Sequence, residues 1–506
     1  MTGPGVAVEA RLEAFARDDV IARTWRRDHT VWSPDPTEIS NRLGWLGVAD
    51  AMLPRAGDLR AFAERCAADG LRTAVLAGMG GSSLAPEVFR RSLGVAAGML
   101  DLVVLDATNP DQILDVERSV GLDRTLFVVS SKSGTTIETD SHLRYFWERV
   151  PDPTRFVAVT DAGTPLEAVA RERGFRGVFV NPADIGGRYS ALSFFGLVPA
   201  ALIGAPLERL LEGAIQMATS CLEPPERNPG AELGAAIGEA VPAGRDKLTF
   251  ALPEAVAPLG AWLEQLLAES TGKHGTGIVP VADEALGEPA AYAGDRLFAA
   301  TGEAGGSRLE AVAAAGHPVV RLPGATAHDL GREMFRWEFA TAVAGAILGI
   351  NPFDQPDVQA AKDATAHALQ RAPAEVDSGD AAAVLEGAEA PDYVAIQAYV
   401  PRDVEHERVL QRARLRIRDG RRVATTLGFG PRFLHSTGQL HKGGPDGVIA
   451  IQVIEPPGSD VDIPGRDFTF GRLLRAQADG DLEALRSRGR RTVRVTLDEL
   501  ESLTAS

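Results

Sequence analysis

The 506-residue chain has only two cysteines, Cys66 and Cys221, far apart and in no metal-like spacing. That excludes a disulfide framework and a cysteine-ligated metal, and it fits a reduced, intracellular setting. A basic surplus is also missing: 52 Lys and Arg stand against 69 Asp and Glu, a net charge of −17. So acidic a chain has nothing with which to displace counterions from nucleic acid, and it disfavours anionic membranes. Long apolar runs are absent as well. The longest, 192–207 and 339–350, are too short or too broken by Gly and Pro to span a bilayer. The start, Met-Thr-Gly-Pro-Gly, lacks the basic and apolar parts of a signal peptide, so a cytoplasmic protein is expected. A small anionic ligand is still allowed, because a local nest of donors outweighs a distant net charge.

The length predicts two or three domains. Residues 8–65 alternate apolar and charged positions at helical spacing and predict a helical N-terminal arm, 1–65. From Thr73 the rhythm changes. Short β-branched runs at 73–77, 102–105, 126–130, 156–160 and 177–180 alternate with helix-length intervals, the mark of βαβ units around a parallel sheet. A second set follows at 247–252, 277–280, 296–300 and 319–322, then a long helical pattern over 327–349. This α/β reading gives two tandem domains, 66–225 and 226–371, with the join near 205–245. Residues 372–391 read as a linker or loose surface segment, rich in Ala, Glu, Asp, Gly and Pro without period. Strands at 393–400 and 447–454 and a helix at 479–486 predict a C-terminal α/β extension, 392–506, packing on the core.

Residues 126–138 read Leu-Phe-Val-Val-Ser-Ser-Lys-Ser-Gly-Thr-Thr-Ile-Glu, an apolar strand entering a loop of hydroxyls around one lysine. Gly134 permits a turn, and the helix that follows brings a partial positive charge. Helix capping needs one hydroxyl, not five, so the loop predicts a phosphate-like anion site. Gly78-Met79-Gly80-Gly81-Ser82-Ser83-Leu84 follows another strand and lets backbone approach a ligand; the third Gly and the ribose-binding acid of a dinucleotide loop are missing. Both turns lie at carboxyl ends of strands, where open α/β sheets bind ligands. Gly186-Gly187-Arg188 can present a guanidinium or can be a plain surface turn. In Gln265-Leu266-Leu267-Ala268-Glu269-Ser270-Thr271-Gly272-Lys273, Gln265 and Glu269 share a helix face near its end, and Glu269 is a candidate general base or an exposed helix-end acid. Lys362 falls two turns into a helix after Asn351-Pro352-Phe353-Asp354-Gln355-Pro356, and spacing alone makes it a surface lysine. His435 and His441 share a Gly-rich stretch suited to proton handling or to a solvated loop, without acids at metal-ligand spacing.

Taken in order, these segments resemble the phosphoglucose isomerase family, enzymes with two sugar-isomerase (SIS) domains. The later segments 393–400, 426–445 and 468–485 resemble the isomerase part of bacterial transaldolase–isomerase fusions. The resemblance implies reversible isomerisation of glucose 6-phosphate and fructose 6-phosphate through an enediolate, needing no redox cofactor and no metal. It implies that Gly81, Ser82, Ser131, Lys132, Ser133 and Thr136 hold the substrate phosphate. Glu269 would be the base and Arg188 the enediolate stabiliser; Gln265 and Gln355 would contact sugar hydroxyls, and Lys362 would assist ring opening. The family's Gly-Gln-His motif has no counterpart at 275–316, which contains no histidine. Thr437-Gly438-Gln439-Leu440-His441 is the nearest text, so ring opening is assigned to His441, with His435 and His328 in reserve. A homodimer is expected. The alternatives are a catalytically silent sugar-phosphate-binding regulator and an isomerase that also accepts mannose 6-phosphate.

Overall fold

A computed structural model of the chain describes residues 5–371 and 380–505. Three separate sheets form, each wholly parallel. The first holds β1 (Thr73–Gly78), β2 (Asp101–Leu105), β3 (Thr125–Ser130), β4 (Phe156–Asp161) and β5 (Gly177–Asn181), in the order β2-β1-β3-β4-β5. The second holds β6 (Lys247–Ala251), β7 (Val279–Val281), β8 (Arg296–Thr301) and β9 (Val319–Leu322), in the order β7-β6-β8-β9. The third holds β10 (Tyr393–Tyr399), β11 (Ala424–Phe429), β12 (Val448–Ile454) and β13 (Arg491–Val495), in the order β11-β10-β12-β13. Central strands such as β3 and β12 are buried along their whole length, as near-continuous Val/Ile/Leu/Phe runs require when helices cover both faces. The expected parallel sheets flanked by helices are therefore present.

The N-terminal helices are built into the core: Trp45 is wholly buried against Tyr189, Phe335 and Phe339, and Trp32 Nε1 donates to the Ala342 carbonyl at 2.8 Å. The stretch expected to be loose differs from its reading beyond Asp380. Residues Ala381–Leu385 form a short helix, and Ala381, Leu385 and Ala388 are buried against the third sheet; 372–379 lie outside the described residues. The helix expected at 479–486 spans Phe470–Ser487, and β11, β13 and the helix Val404–Arg421 add elements that the apolar periodicity did not mark. Among the described residues no helix is long and apolar enough to cross a membrane.

The third sheet is tied to the first by charge. Arg402 and Arg432 both reach Glu87 on the helix Leu84–Leu93, and Arg432 also meets Asp106 at 3.0 Å. Burial alone would raise the Glu87 carboxyl, but the two guanidiniums outweigh it and hold the group at about 2. This clamp brings the chain after β11 against the turns that follow β1 and β3.

Candidate active site

The helix Leu259–Thr271 sets the geometry. Gln265 and Glu269 emerge on one face, 3% and 8% exposed. Gln265 Nε2 donates to Glu269 Oε2 at 3.2 Å and to the His435 carbonyl at 2.8 Å. The other Glu269 oxygen faces Arg188 Nη1 at 3.4 Å.

Arg188, 2% exposed, is held on every side. Its Nε donates to Ser270 Oγ at 2.8 Å, Nη1 to Gln355 Oε1 at 2.9 Å, and Nη2 to the carbonyls of Pro352 and Asp354, each at 2.8 Å. Lys273 anchors the same 351–355 loop from beneath, donating to the Asn351 and Asp354 carbonyls and to the Asp354 carboxylate at 2.6 Å. Burial, with Arg188 alongside, pushes its ammonium down to about 8. Ser270 and Lys273 lie inside the motif that pointed to Glu269, yet only the fold shows what they hold.

The glycine turns meet this helix at backbone distance. Gly80 has φ +54°, and a Cβ there would lie 2.5 Å from the His435 carbonyl oxygen and 2.7 Å from Gln265 Nε2. A Cβ on Gly81 would lie 2.0 Å from the Gly187 carbonyl oxygen. Ser82 is buried beside them.

In the loop after β3, Ser131 Oγ and Thr136 Oγ1 are 2.9 Å apart, Gly134 N donates to Ser131 Oγ at 3.1 Å, and Ser133 Oγ accepts from Thr135 N at 3.2 Å. Thr136 is the N-cap of the helix Ile137–Arg149, but its hydroxyl makes no capping bond. The Lys132 ammonium, partly exposed, pairs with Asp161 at the end of β4 and donates to the Ala183 carbonyl at 3.3 Å. The helix N-terminus and its amides add positive potential at the loop.

The three histidines considered for ring opening lie in different surroundings. His441 is fully buried, packed on Tyr393 and Phe433 with Nδ1 3.1 Å from the Tyr393 hydroxyl. Burial, with Lys442 and Arg490 nearby, pushes it down to about 3, so it stays neutral. His328 is exposed before the helix Leu330–Leu348, whose far end leads into the 351–355 loop. That is a separation of roughly 28 Å at 1.5 Å per residue.

His435 is the histidine that reaches the site. Its Nε2 lies 2.9 Å from Glu138 Oε1, and the same oxygen accepts from Gln477 Nε2 at 2.7 Å, itself fixed by Thr108 at 2.7 Å. Burial alone would raise Glu138, but the charge and hydrogen bond of His435 outweigh it and hold the carboxyl below its usual range. Thr135, Thr136, Glu138, His435 and Gln477 line one cavity of about 200 Å³. Hydrogen bonds thus join Glu138, on the helix after the hydroxyl loop, to the His435 ring, and the His435 carbonyl to Gln265 and so to Glu269. Gln355, on Arg188, closes the other side, while the side chain of Lys362 lies outside the described residues.

The model of the phosphoglucose isomerase family matches residues 55–287. A glucose-6-phosphate isomerase from Rubrobacter xylanophilus is 30% identical over 362 residues, 60% of this chain and 84% of that protein. The chain belongs to the phosphoglucose isomerase family. Its fold agrees with a glucose-6-phosphate isomerase structure from Chlamydia trachomatis (TM-score 0.59, 20% identity, 72% of this chain and 86% of that one). It agrees also with a hypothetical protein from Thermus thermophilus (TM-score 0.62, 24% identity, 72% and 98%). The phosphoglucose isomerase match spans Gly81, Ser131–Thr136, Arg188, Gln265 and Glu269, and stops before Gln355, Lys362, His435 and His441.

Proposed function

We propose that the chain interconverts glucose 6-phosphate and fructose 6-phosphate by moving a proton between C2 and C1 of the open sugar. The observation that carries this reading is Glu269 beside the fixed guanidinium of Arg188, in a nearly closed site. Glu269 takes the C2 proton of the aldose. The released electron pair becomes the C1=C2 bond of an enediolate, and the proton of the C2 hydroxyl passes to the C1 oxygen. Return of a proton to C1 yields the ketose, with no net oxidation. Arg188 meets the negative charge that develops on the oxygens, and its pre-set geometry avoids reorganisation in the transition state.

Ser82, Ser131, Ser133 and Thr136 bind the 6-phosphate, with Gly81 allowing close backbone approach; the Lys132 side chain positions the loop through Asp161. That remote grip supplies binding energy that orients the reacting carbons. Gln265 and Gln355 contact sugar hydroxyls. Ring opening needs a proton delivered to the ring oxygen, and His435, oriented by Glu138, has the geometry for it. Lys362 retains its assisting role on resemblance alone. Because His435 and Glu269 belong to one chain, a homodimer is not needed to bring them together.

A coupled assay that converts fructose 6-phosphate to glucose 6-phosphate tests this reading, with mannose 6-phosphate run in parallel. Turnover of the first pair supports it. Binding of the sugar phosphate without turnover would make the protein a regulator.

A further inference from the structure

Glu138 Oε1 accepts two hydrogen bonds, from the His435 ring at 2.9 Å and from Gln477 Nε2 at 2.7 Å. An ionised carboxylate only accepts, so both partners must present a proton to it. That decides two orientations. Neutral His435 carries its hydrogen on Nε2, which leaves Nδ1, unbonded among the described residues, as the ring nitrogen that can exchange a proton. Gln477 must turn its amide nitrogen toward Glu138 and its oxygen away. The Thr108 hydroxyl donates to that oxygen at 2.7 Å.

This chain of bonds is shut away from water: Thr108 is 0%, Gln477 2% and Glu138 3% exposed. Its members come from three places. Thr108 lies in the loop after β2, Glu138 opens the helix Ile137–Arg149, and Gln477 sits on the helix Phe470–Ser487. The loop after β2 is fixed a second time, where His142 Nε2 donates to the Ala107 carbonyl at 2.9 Å; burial pushes His142 down to about 4, so it stays neutral beside Glu138. The third sheet fixes the backbone that carries Gln477. Its carbonyl accepts from the Tyr399 hydroxyl at 3.4 Å, and the Ala478 carbonyl accepts from Gln452 Nε2 at 2.8 Å. An amide held at both ends in this way locks the carboxylate rotamer, and so the plane of the ring bonded to it.

We propose that Gln477 is a positioning residue for ring opening: held by Thr108, it fixes the Glu138 oxygen that orients His435. The inference rests on the isomerase reading, with His435 as the ring-opening group. It brings into the reaction a helix that lies beyond residues 55–287, the stretch matched by the family model. A mere strut between that helix and the first sheet would affect every step alike, whereas a positioning role affects only the opening of the ring.

Steady-state kinetics on ring-closed fructose 6-phosphate and on a 5-deoxy hexose 6-phosphate, which cannot close through O5, tests the proposal. Gln477→Met, similar in size but without the amide, should lower kcat on the closed ring by about tenfold, the scale of one lost hydrogen bond to a charged group. The 5-deoxy substrate should turn over near the wild-type rate. Thr108→Val gives a second variant that leaves Gln477 in place; it should show the same selective loss more weakly, and Thr108→Ser, which keeps the hydroxyl, should not. Because Gln477 acts through His435, adding Gln477→Met to His435→Asn should cause no further loss on the closed ring. Equal losses on both substrates, or losses that multiply in the double variant, would overturn the proposal. So would a closed-ring rate kept by both Gln477→Met and Thr108→Val, with the isomerase reading left intact. Wild type that turns over neither substrate would overturn that reading and this inference with it.

Discussion

Arg188 Nη1 and Glu269 Oε1 stand 3.4 Å apart, from segments 81 residues distant in sequence, and both are nearly closed off from water. A base next to a cation that is pinned by Ser270, Gln355 and two carbonyls is suited to charge that appears on substrate oxygens as a proton leaves carbon. The surrounding architecture serves that pair: the second sheet supplies the helix of Glu269, the first supplies the anion loop, and the third supplies His435.

His435→Asn should lower kcat on ring-closed fructose 6-phosphate by about 10²-fold, the scale of one general acid–base group. On a 5-deoxy hexose 6-phosphate, which cannot close through O5, the same variant should turn over near the wild-type rate. His441→Asn should leave both rates within a few-fold and lower the melting temperature instead. Steady-state kinetics on the two substrates separates these outcomes.

Acid should destabilise the fold through two buried histidines. His441 is held at about 3 and His142 at about 4, both chiefly by burial, against 6.5 for a free imidazole. Between those values the unfolded chain binds protons that the folded chain refuses, so this stability is whole above pH 6.5 and falls as pH drops. In His441→Gln the slope of unfolding free energy against pH, measured with denaturant between pH 4.5 and 6, should shrink by up to about 1.4 kcal/mol per unit.

Gly81→Ala tests the meeting of the two glycine turns. The added methyl would lie 2.0 Å from the Gly187 carbonyl, backbone on backbone, so the turns must part. Thermal unfolding should show a loss of at least ~2 kcal/mol, and kcat/KM should fall as Arg188 shifts, because overpacking forces backbone movement.

Local chemistry made part of this site legible before any fold was known. The apolar strand running into Ser131–Thr136 and the Gln265–Glu269 spacing are signals that a short window carries. Lys132 was legible as a charge, but its partner Asp161 ends a neighbouring strand, and only strand order joins them. His435 and Glu138 are 297 residues apart, and Gln477 and Glu138 are 339 apart, so no local pattern could pair them. The strand Ala-Thr-Thr-Leu-Gly-Phe that carries the chain to His435 escaped notice because it has hydroxyls and a glycine where a buried strand usually has Val or Ile. His441 lay in the more family-like text, but burial decided against it.

The central claim is that Glu269 carries the proton between C2 and C1. Its most direct test is exchange with deuterated solvent of the C1 hydrogen of fructose 6-phosphate and the C2 hydrogen of glucose 6-phosphate, followed by NMR in wild type and Glu269→Gln. The account predicts exchange and turnover together in wild type, and a joint fall of about 10²- to 10⁴-fold in the variant with sugar-phosphate binding retained. Near-normal exchange in Glu269→Gln would contradict it.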